Sequence, residues 1–172
     1  MTDKRLDLRG YVLNDHHCRA FSEAVKLHPD LLDSVILEEN QFTDIRLGLF
    51  MIGICNLTKM KQIIIKNNEV LDETLEQLQG LLKRPFPDNL DELRLISVKT
   101  SPYMITDFVE TLSENCLLKK LSLVQCCLMD SHLPHLLKML DNSRFLIELD
   151  ISWSQLTPLV LLELTRVLAS NR

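Results

Sequence analysis

Apolar residues recur along this chain in one fixed spacing. An apolar residue is followed three positions later by a second, two positions after that by a third, and then by a polar or small residue and a final apolar one. The run Leu118-x-x-Leu121-x-Leu123-x-x-Cys126-x-Leu128 shows the spacing in full. It recurs from Leu32, Met60, Leu90 and Leu146, and in shortened form from Leu6. The second apolar position falls every 28 to 30 residues, at Leu6, Val35, Ile63, Leu93, Leu121 and Leu149. Six matches at this period indicate six tandem structural units.

The spacing predicts one strand and one helix in each unit. About nine residues form the strand and its exit turn, and roughly nineteen remain, enough for a three-turn helix and two short loops. We predict that Asp15 caps the first helix and that Ala24 faces the core. Apolar residues at helical spacing place the helices near residues 16–27, 43–55, 71–83, 102–115, 130–140 and 157–169. The predicted fold class is therefore α/β, with six β-α units.

The chain resembles a leucine-rich-repeat protein of the ribonuclease-inhibitor type, whose repeats have this length and carry a true helix. The resemblance covers essentially all 172 residues. It implies one solenoid domain over residues 1–172, curved like a horseshoe, with a parallel sheet on the concave face and helices on the convex face. Neither end shows the more polar unit that usually seals such a stack. Either a partner covers the ends through end-to-end contact or the sequence is a segment of a longer protein, and we favour the segment.

The polar position of the template predicts hydrogen bonds between neighbouring units. Asn40 and Asn68 occupy this position in the second and third units, and Cys126 occupies it in the fifth. We expect these side chains to bond the main chain of adjacent turns as a ladder. Val98 holds the position in the fourth unit and cannot form such bonds, so we predict a local break there. After the third helix, Pro85-Phe86-Pro87 predicts a rigid loop that stops the helix.

Side chains between the apolar positions of each strand are expected on the concave surface. Ile36 and Ile64 are adjacent there, as are Ile96 and Val124, and charged residues border them. An apolar patch with a charged rim is typical of a protein-binding surface, although strand propensity also explains β-branched residues. We predict that Ile36→Asp with Ile64→Asp abolishes partner binding with little loss of stability. The predicted partner-binding residues are Ile36, Glu38, Ile64, Lys66, Arg94, Ile96, Val124, Asp150 and Trp153.

The second predicted helix is apolar around most of its circumference, from Ile45 to Ile54. A helix of this kind needs burial on more than one face. We favour tight packing between adjacent helices, because Gly48 and Gly53 permit close approach. Contact with a partner on the convex side is the alternative.

Charge and composition exclude several classes of function. The net charge of −5 gives no electrostatic reason to bind nucleic acid or an anionic membrane. The longest nearly unbroken apolar run, residues 47–55, is far shorter than a membrane-spanning helix, and no signal peptide is evident. The five cysteines are an odd number, which favours reduced thiols. We therefore expect a soluble cytoplasmic protein.

Two short motifs invite a chemical interpretation. His16-His17-Cys18 suggests a Cys/His dyad, but adjacent helical residues do not face each other and no orienting group is evident. A zinc site could use four residues of the fifth unit, namely Cys126, Cys127, His132 and His135. The template, however, places Cys126 in the interior, and the side chain of adjacent Cys127 should point elsewhere. We therefore expect no catalytic residue, metal or cofactor.

The resemblance implies a noncatalytic scaffold or adaptor that binds a protein partner through the concave strand face. The alternative is a regulator of a GTPase, by resemblance to the Ran GTPase-activating proteins, which share this repeat type. A third interpretation is that the chain extends a larger sensor, as in nucleotide-binding innate immune receptors. The sequence has no phosphate-binding G-x-x-x-x-G-K-[ST] loop, so a nucleotide switch would have to lie elsewhere.

Overall fold

Strands and helices alternate along the whole described chain. A computed structural model describes residues 4–85, 90–114 and 117–170. The strands are β1 Arg5–Asp7, β2 Ser34–Glu38, β3 Gln62–Lys66, β4 Glu92–Ile96, β5 Lys120–Val124 and β6 Glu148–Asp150. The helices are α1 Asp15–Leu27, α2 Asp44–Ile54, α3 Asp72–Leu82, α4 Pro102–Glu114, α5 Leu133–Asn142 and α6 Pro158–Ser170, with a 3₁₀ turn at Asp130–His132. The predicted α/β class and the six β-α units are confirmed.

The six strands form one parallel sheet in sequence order, β1 to β6. Their register aligns the same template position in every unit, so that Leu6, Val35, Ile63, Leu93, Leu121 and Leu149 lie side by side. This architecture is compatible with a solenoid of β-α repeats. In such an array a unit packs on its sequence neighbours, because no unit can bury its apolar side alone.

The core lies between the sheet and the helices. The inward residues of β2 to β5, such as Val35 and Leu123, are fully buried. Their equivalents in β1 and β6, such as Leu6 and Leu149, are only half-buried. The inner units are thus sealed by neighbours on both sides, whereas the two outer strands have one neighbour each within the described sheet.

Helix α2 packs closely against both neighbouring helices, as favoured from its sequence. A Cβ atom at Gly48 would lie 3.0 Å from the Cβ of Glu73 in α3. A Cβ atom at Gly53 would lie 3.0 Å from the Phe21 ring and from Ser22 in α1. The outer side of α2 still carries exposed Ile45, so packing accounts for most of its apolar surface but not for all of it.

Asparagine side chains join the first three units, as predicted. Asn40 Nδ2 donates to the carbonyl oxygen of Tyr11 at 2.8 Å. Asn68 Oδ1 accepts from the main-chain N–H groups of Asn40 at 3.2 Å and Phe42 at 3.4 Å. Asn68 Nδ2 donates to the carbonyl oxygen of Lys66 at 3.1 Å. Each amide therefore satisfies main-chain groups that the strand-exit loops would otherwise bury without partners.

Val98 interrupts this ladder, as predicted, and main-chain bonds replace it. Val98 is buried and offers no polar side-chain atom. Beside it, Lys99 N donates to Asn68 O at 2.9 Å, and Val70 N donates to Lys99 O at 3.1 Å. These bonds form an extra parallel bridge between Glu69 and Lys99, whose side chains also pair at 2.7 Å.

Cys126 resumes the ladder in the fifth unit. Its thiol donates to the carbonyl oxygen of Leu95 at 3.2 Å and approaches that of Val124 at 3.4 Å. Burial raises the pKa of this thiol to about 12, so it remains protonated at neutral pH. The structural role predicted for Cys126 is confirmed.

Every strand exit has left-handed backbone geometry at the same template position. The residues are Gly10, Glu39, Asn67, Ser97, Gln125 and Trp153, with φ between 51° and 73°, and the exits of β2 and β5 add Gln41 and Cys127. Only the first is glycine, and a side chain in this region costs roughly 1 kcal/mol or more of backbone strain. The repeated turn is therefore imposed by the stacking of the units rather than by local preference.

Two details of α1 differ from the prediction. Asn14, not Asp15, caps the helix: its side chain accepts from His17 N at 3.0 Å, and Asp15 is the first helical residue. Ala24 is exposed rather than buried, because α1 has a helix packed on one side only among the described residues.

Phe86 and Pro87 of the predicted loop, together with Cys116, lie outside the described residues. None of the described helices is long and apolar enough to cross a bilayer.

Candidate interaction site on the open sheet face

The open sheet face, which points away from the helices, presents its side chains in three rows. The strand register defines the rows, because residues aligned across the sheet project to the same side. The first row is Arg5, Ser34, Gln62, Glu92, Lys120 and Glu148, and the middle row is Asp7, Ile36, Ile64, Arg94, Ser122 and Asp150. The third row contains Glu38, Lys66, Ile96 and Val124. The register thus brings the predicted partner-binding residues of the strands onto one surface.

The predicted apolar patch is present but smaller than expected. Ile64, Ile96 and Val124 are half-buried, so each keeps part of its surface accessible. Ile36 is only 7% exposed, which contradicts its expected place on an accessible surface. It lies in register between Asp7 and Ile64, and neighbouring β-branched side chains pack against each other across a sheet. The accessible patch therefore consists of Ile64, Ile96 and Val124.

An ion pair forms the rim beside Ile64 and Ile96. Lys66 Nζ lies 2.5 Å from Glu38 Oε1, across the β2–β3 junction. Glu38 is the less exposed partner, with 22% of its side chain accessible, against 38% for Lys66. Because the pair remains in contact with solvent, it contributes little to stability but places two opposite charges at defined positions.

Arg94 links β4 to β6 across β5 on the other side of the patch. Its guanidinium pairs with Glu92 on its own strand and with Glu148 Oε1 of β6 at 2.9 Å. The Arg94–Glu148 pair passes over β5 near Ser122, which is 1% exposed. Gln62 Nε2 extends the network by donating to Glu92 Oε2 at 3.0 Å. The polar groups of this face are thus ordered before any partner binds.

The charges of this network keep Glu92 ionised. Burial alone raises the pKa of its carboxyl, but hydrogen bonds from Arg94 and Gln62 and the charges of Arg94 and Lys120 outweigh burial. The net pKa lies below the ordinary value of 4.5. A carboxylate held in this way is an acceptor and not a general acid at neutral pH.

Asp150 and Trp153 lie where β6 ends. Hydrogen bonds from the hydroxyl and the N–H of Ser152 lower the pKa of the Asp150 carboxyl. Trp153 is 83% exposed and adopts the left-handed geometry, with φ of 58°. It follows β6, the strand next to β5 and its patch residue Val124, and lies in the exit turn rather than in one of the three rows.

One histidine of each candidate chemical motif caps the start of a helix. His17 Nδ1 accepts from Asn14 N at 3.3 Å, and His132 Nδ1 accepts from Met129 N at 2.9 Å. In each case the histidine replaces the glutamate or glutamine of a capping box. His132 is fully buried, and its Nε2 lies 3.2 Å from Pro102 O, which ties the fifth unit to the fourth.

The cysteines of these motifs are likewise in structural surroundings. Cys18 is buried, and burial raises the pKa of its thiol. Cys127 Sγ lies 3.6 Å from Thr100 O, while Cys126 serves the ladder. Among the residues that the structure describes, no group of three or more histidine, cysteine or acidic side chains is placed to hold a metal ion.

Sequence reasoning missed one buried carboxylate that links two units. Asp44 is the first residue of α2, yet its side chain caps α3 by accepting from Leu71 N at 2.8 Å, Glu73 N at 2.9 Å and Thr74 N at 3.2 Å. Asp130 likewise accepts from Thr157 N at 2.8 Å. A signal existed, because aspartate recurs nine residues after the second apolar position in four units, at Asp15, Asp44, Asp72 and Asp130.

A scan against protein-family models and a search of curated protein sequences both found no match to this chain.

Proposed function

We propose that this chain is a leucine-rich-repeat protein with a horseshoe curvature, acting in the cytoplasm as a noncatalytic scaffold that binds a protein partner. The repeated β-α order and the residue-by-residue register support the family assignment. The binding surface is the open sheet face, which would be the concave side. The free thiols of the described cysteines suit a reducing compartment.

The observation that carries the proposal is the accessible patch of Ile64, Ile96 and Val124 between two ordered polar groups. Ile64 lies next to Arg94 in its row, and Ile96 lies between Lys66 and Val124 in the third row. Isolated accessible aliphatic residues are ordinary, but these three lie on adjoining strands, with Ile96 in register with Val124 and Ile64 diagonal to Ile96. Such a surface is typical of the centre of a protein interface.

Binding would bury this patch under an apolar side chain of the partner. The Glu38–Lys66 pair and Arg94 would then fix the orientation of the partner, because charges at the rim of an interface determine specificity and association rate more than affinity. The polar side chains are already held by intramolecular bonds, so little side-chain freedom would be lost on binding. No step of this function requires a catalytic group or cofactor.

The test is to replace two patch residues with aspartate and to compare partner recovery. We expect Ile64→Asp with Ile96→Asp to weaken binding by at least about tenfold, because burying two uncompensated charges opposes the contact. The thermal midpoint should change little, since both side chains already contact solvent. Recovery is measured by quantitative affinity capture and the midpoint by circular dichroism.

Ile45→Asp on α2 is the matched control, because Ile45 is 68% exposed on the helical side. Equal recovery of the same partner by wild type and the double variant would refute the proposal. Loss of binding only in the control would assign the contact to the helical surface. Stimulated GTP hydrolysis by a captured GTPase, lost in the double variant, would favour the regulatory alternative.

A further inference from the structure

A buried hydroxyl of the open sheet face is left unpartnered within the described chain. Ser122 lies in the middle row, on β5, and is 1% exposed, yet its Oγ has no hydrogen-bond partner among the described residues. Burying a hydroxyl without a partner costs free energy of folding, so such groups are uncommon in native proteins. Ser34 on the same face shows the ordinary arrangement, because it is also buried but its Oγ donates to Gln62 Oε1 at 2.5 Å. Ser122 therefore offers a hydrogen bond that the fold does not use.

The ion pair between Arg94 and Glu148 separates Ser122 from solvent. The pair runs from β4 to β6 and passes over β5. Its separation leaves neither charge alone, because Arg94 also pairs with Glu92, and Glu148 Oε2 lies 3.8 Å from Lys120 Nζ. Glu148 has 41% of its side chain exposed, so water already competes for the pair and its separation costs little. The pair can therefore open as a lid over Ser122.

An accessible apolar surface lies one row away from this hydroxyl. Val124 follows Ser122 on β5 and projects to the same side, roughly 7 Å further along the strand. Ile96 is in register with Val124, and both residues are half-buried. A side chain that lies on these two residues and reaches Ser122 must have an apolar body about as long as an aromatic ring, with a polar group at its tip.

Asp150 places a second hydrogen-bonding group beside Ser122. The two residues are in register on β6 and β5. Ser152 donates to Asp150 Oδ1 from both its N–H and its hydroxyl, at 3.0 and 2.6 Å. An ionised carboxylate has about four acceptor positions on its two oxygens, so Oδ2 can accept a further bond. A polar group between Ser122 and Asp150 can therefore accept from one and donate to the other.

The charges around this position favour a neutral group. The carboxylates of Glu92, Glu148 and Asp150 oppose an acidic group, and the cations of Arg94 and Lys120 oppose a basic one. A hydroxyl is neutral and can donate and accept at once. The side chains of serine and threonine are too short to cover the apolar residues as well. Tyrosine combines an apolar ring with a hydroxyl tip and is common in protein interfaces.

We propose that the lid opens for a tyrosine side chain of the protein partner. The ring lies on Ile96 and Val124. The hydroxyl accepts from Ser122 Oγ and donates to Asp150 Oδ2. This inference rests on the function proposed for the open sheet face and names the group that the face recognises. The new bond to Ser122 compensates for the bond that the lid loses when it opens.

Ser122→Ala and the matched variant Ser34→Ala separate a role in binding from a role in the fold. Ser122→Ala removes an unpartnered hydroxyl, so the thermal midpoint should rise by roughly 2–4 °C. Ser34→Ala removes a bonded hydroxyl, so its midpoint should not rise. Circular dichroism measures both midpoints. A lower midpoint for Ser122→Ala would show that the hydroxyl serves the fold and would overturn the proposal.

Small phenols test recognition by the chain alone. 4-Methylphenol reproduces the side chain of tyrosine and toluene that of phenylalanine, and the methyl NMR signals of Ile96 and Val124 report the binding of either compound. The wild type should bind 4-methylphenol about threefold to tenfold more tightly than toluene, as expected for one hydrogen bond. Ser122→Ala should abolish this preference, and Ser34→Ala should retain it. Equal binding of the two compounds by the wild type overturns the proposal. So does tighter binding of 4-methylphenyl phosphate, which would indicate a phosphorylated group instead.

Glu148→Ala tests the lid. Without this carboxylate Ser122 should be open to solvent, so 4-methylphenol should bind about twofold more tightly or better, since a solvent-exposed ion pair no longer has to separate. Unchanged or weaker binding would show that the Arg94–Glu148 pair does not control access to Ser122.

Capture of the partner distinguishes this inference from the proposed function. Ser122→Ala should reduce recovery by about threefold to tenfold, and Ser34→Ala should recover as much as the wild type. Full recovery with Ser122→Ala, when Ile64→Asp with Ile96→Asp loses the partner, refutes the tyrosine contact and leaves the proposed function standing. Full recovery with the double aspartate variant refutes the proposed function itself.

Discussion

The junction between β2 and β3 and the junction between β3 and β4 solve one problem in different ways. Both must provide hydrogen-bond partners for main-chain groups in the loops that follow the strands. At the first junction the side-chain amide of Asn68 supplies them. At the second, where Val98 replaces asparagine, the sheet extends by one bridge and the main chain of Lys99 supplies them. The comparison shows that the ladder residue is one means of satisfying these groups and not a requirement of the repeat.

The groups that satisfy the two junctions differ in their exposure to solvent. Asn68 is 5% exposed, and the hydrogen bonds of its side-chain amide are shielded from water. The Lys99–Glu69 pair that accompanies the bridge is open to solvent, with 80% of the lysine side chain exposed. Removing the ladder residue should therefore leave buried donors without partners, whereas removing the ion pair should not.

The largest expected effect comes from Asn68→Ala. The change leaves the N–H groups of Asn40 and Phe42 without an acceptor, so the free energy of unfolding should fall by about 3 kcal/mol. Urea denaturation measures this value. Asn67→Gly is the control, because glycine suits the left-handed backbone there (φ of 51°) and the change removes only an amide that reaches the exposed Glu39 carboxylate at 3.1 Å, so it should lower stability much less. Equal losses in both variants would mean that the ladder bond contributes nothing of its own.

An intermediate effect is expected from Val98→Asn, which restores the template residue at the second junction. The main-chain bridge already occupies the groups that an asparagine would bond, so the new buried amide should lack partners. The free energy of unfolding should fall by about 1–2 kcal/mol in urea denaturation. A gain in stability would show that an asparagine side chain and the main-chain bridge can satisfy this junction together, and that they are not alternatives.

The smallest effect is expected from Lys99→Met. The hydrogen bond from Lys99, aided by the N–H of Asp44, lowers the pKa of the Glu69 carboxyl below its ordinary value of 4.5. A lowered carboxyl pKa stabilises the fold above the unfolded pKa, and this contribution is lost as pH falls through the folded value. The variant should lose less than about 1 kcal/mol at neutral pH and show a shallower decline in acid. Denaturation at pH 7 and pH 3 measures how much free energy of unfolding each protein loses in acid. An equal loss in the variant and the wild type would contradict this prediction.

The parts of the fold that depend on the repeat period of 28 to 30 residues could be predicted from the sequence. The strand register, the Asn40 and Asn68 ladder and its break at Val98 all depend on positions that the spacing alone aligns. The burial of Ile36 could not be predicted, because it depends on packing across adjacent strands. The Arg94–Glu148 ion pair could not be predicted either, because it joins strands that are not neighbours in the sheet.

The histidine motifs show why short patterns mislead. His17 belongs to the candidate Cys/His dyad, and His132 belongs to the candidate zinc site. Both accept a hydrogen bond from a main-chain N–H three residues earlier, at the start of a helix. Glutamate or glutamine is the usual residue in that role, so neither motif carries the ordinary signal of a capping box.

The linear order of the sheet has a mechanical consequence. Hydrogen-bonded strands are always consecutive in sequence, so a pulling force on the two ends of the chain acts first on an outer unit. Detaching one unit frees about 28 residues, which span roughly 95 Å when extended. Under tension the chain would lengthen in steps of nearly equal size, with each remaining unit still stacked and able to re-form the lost contact when the force is released.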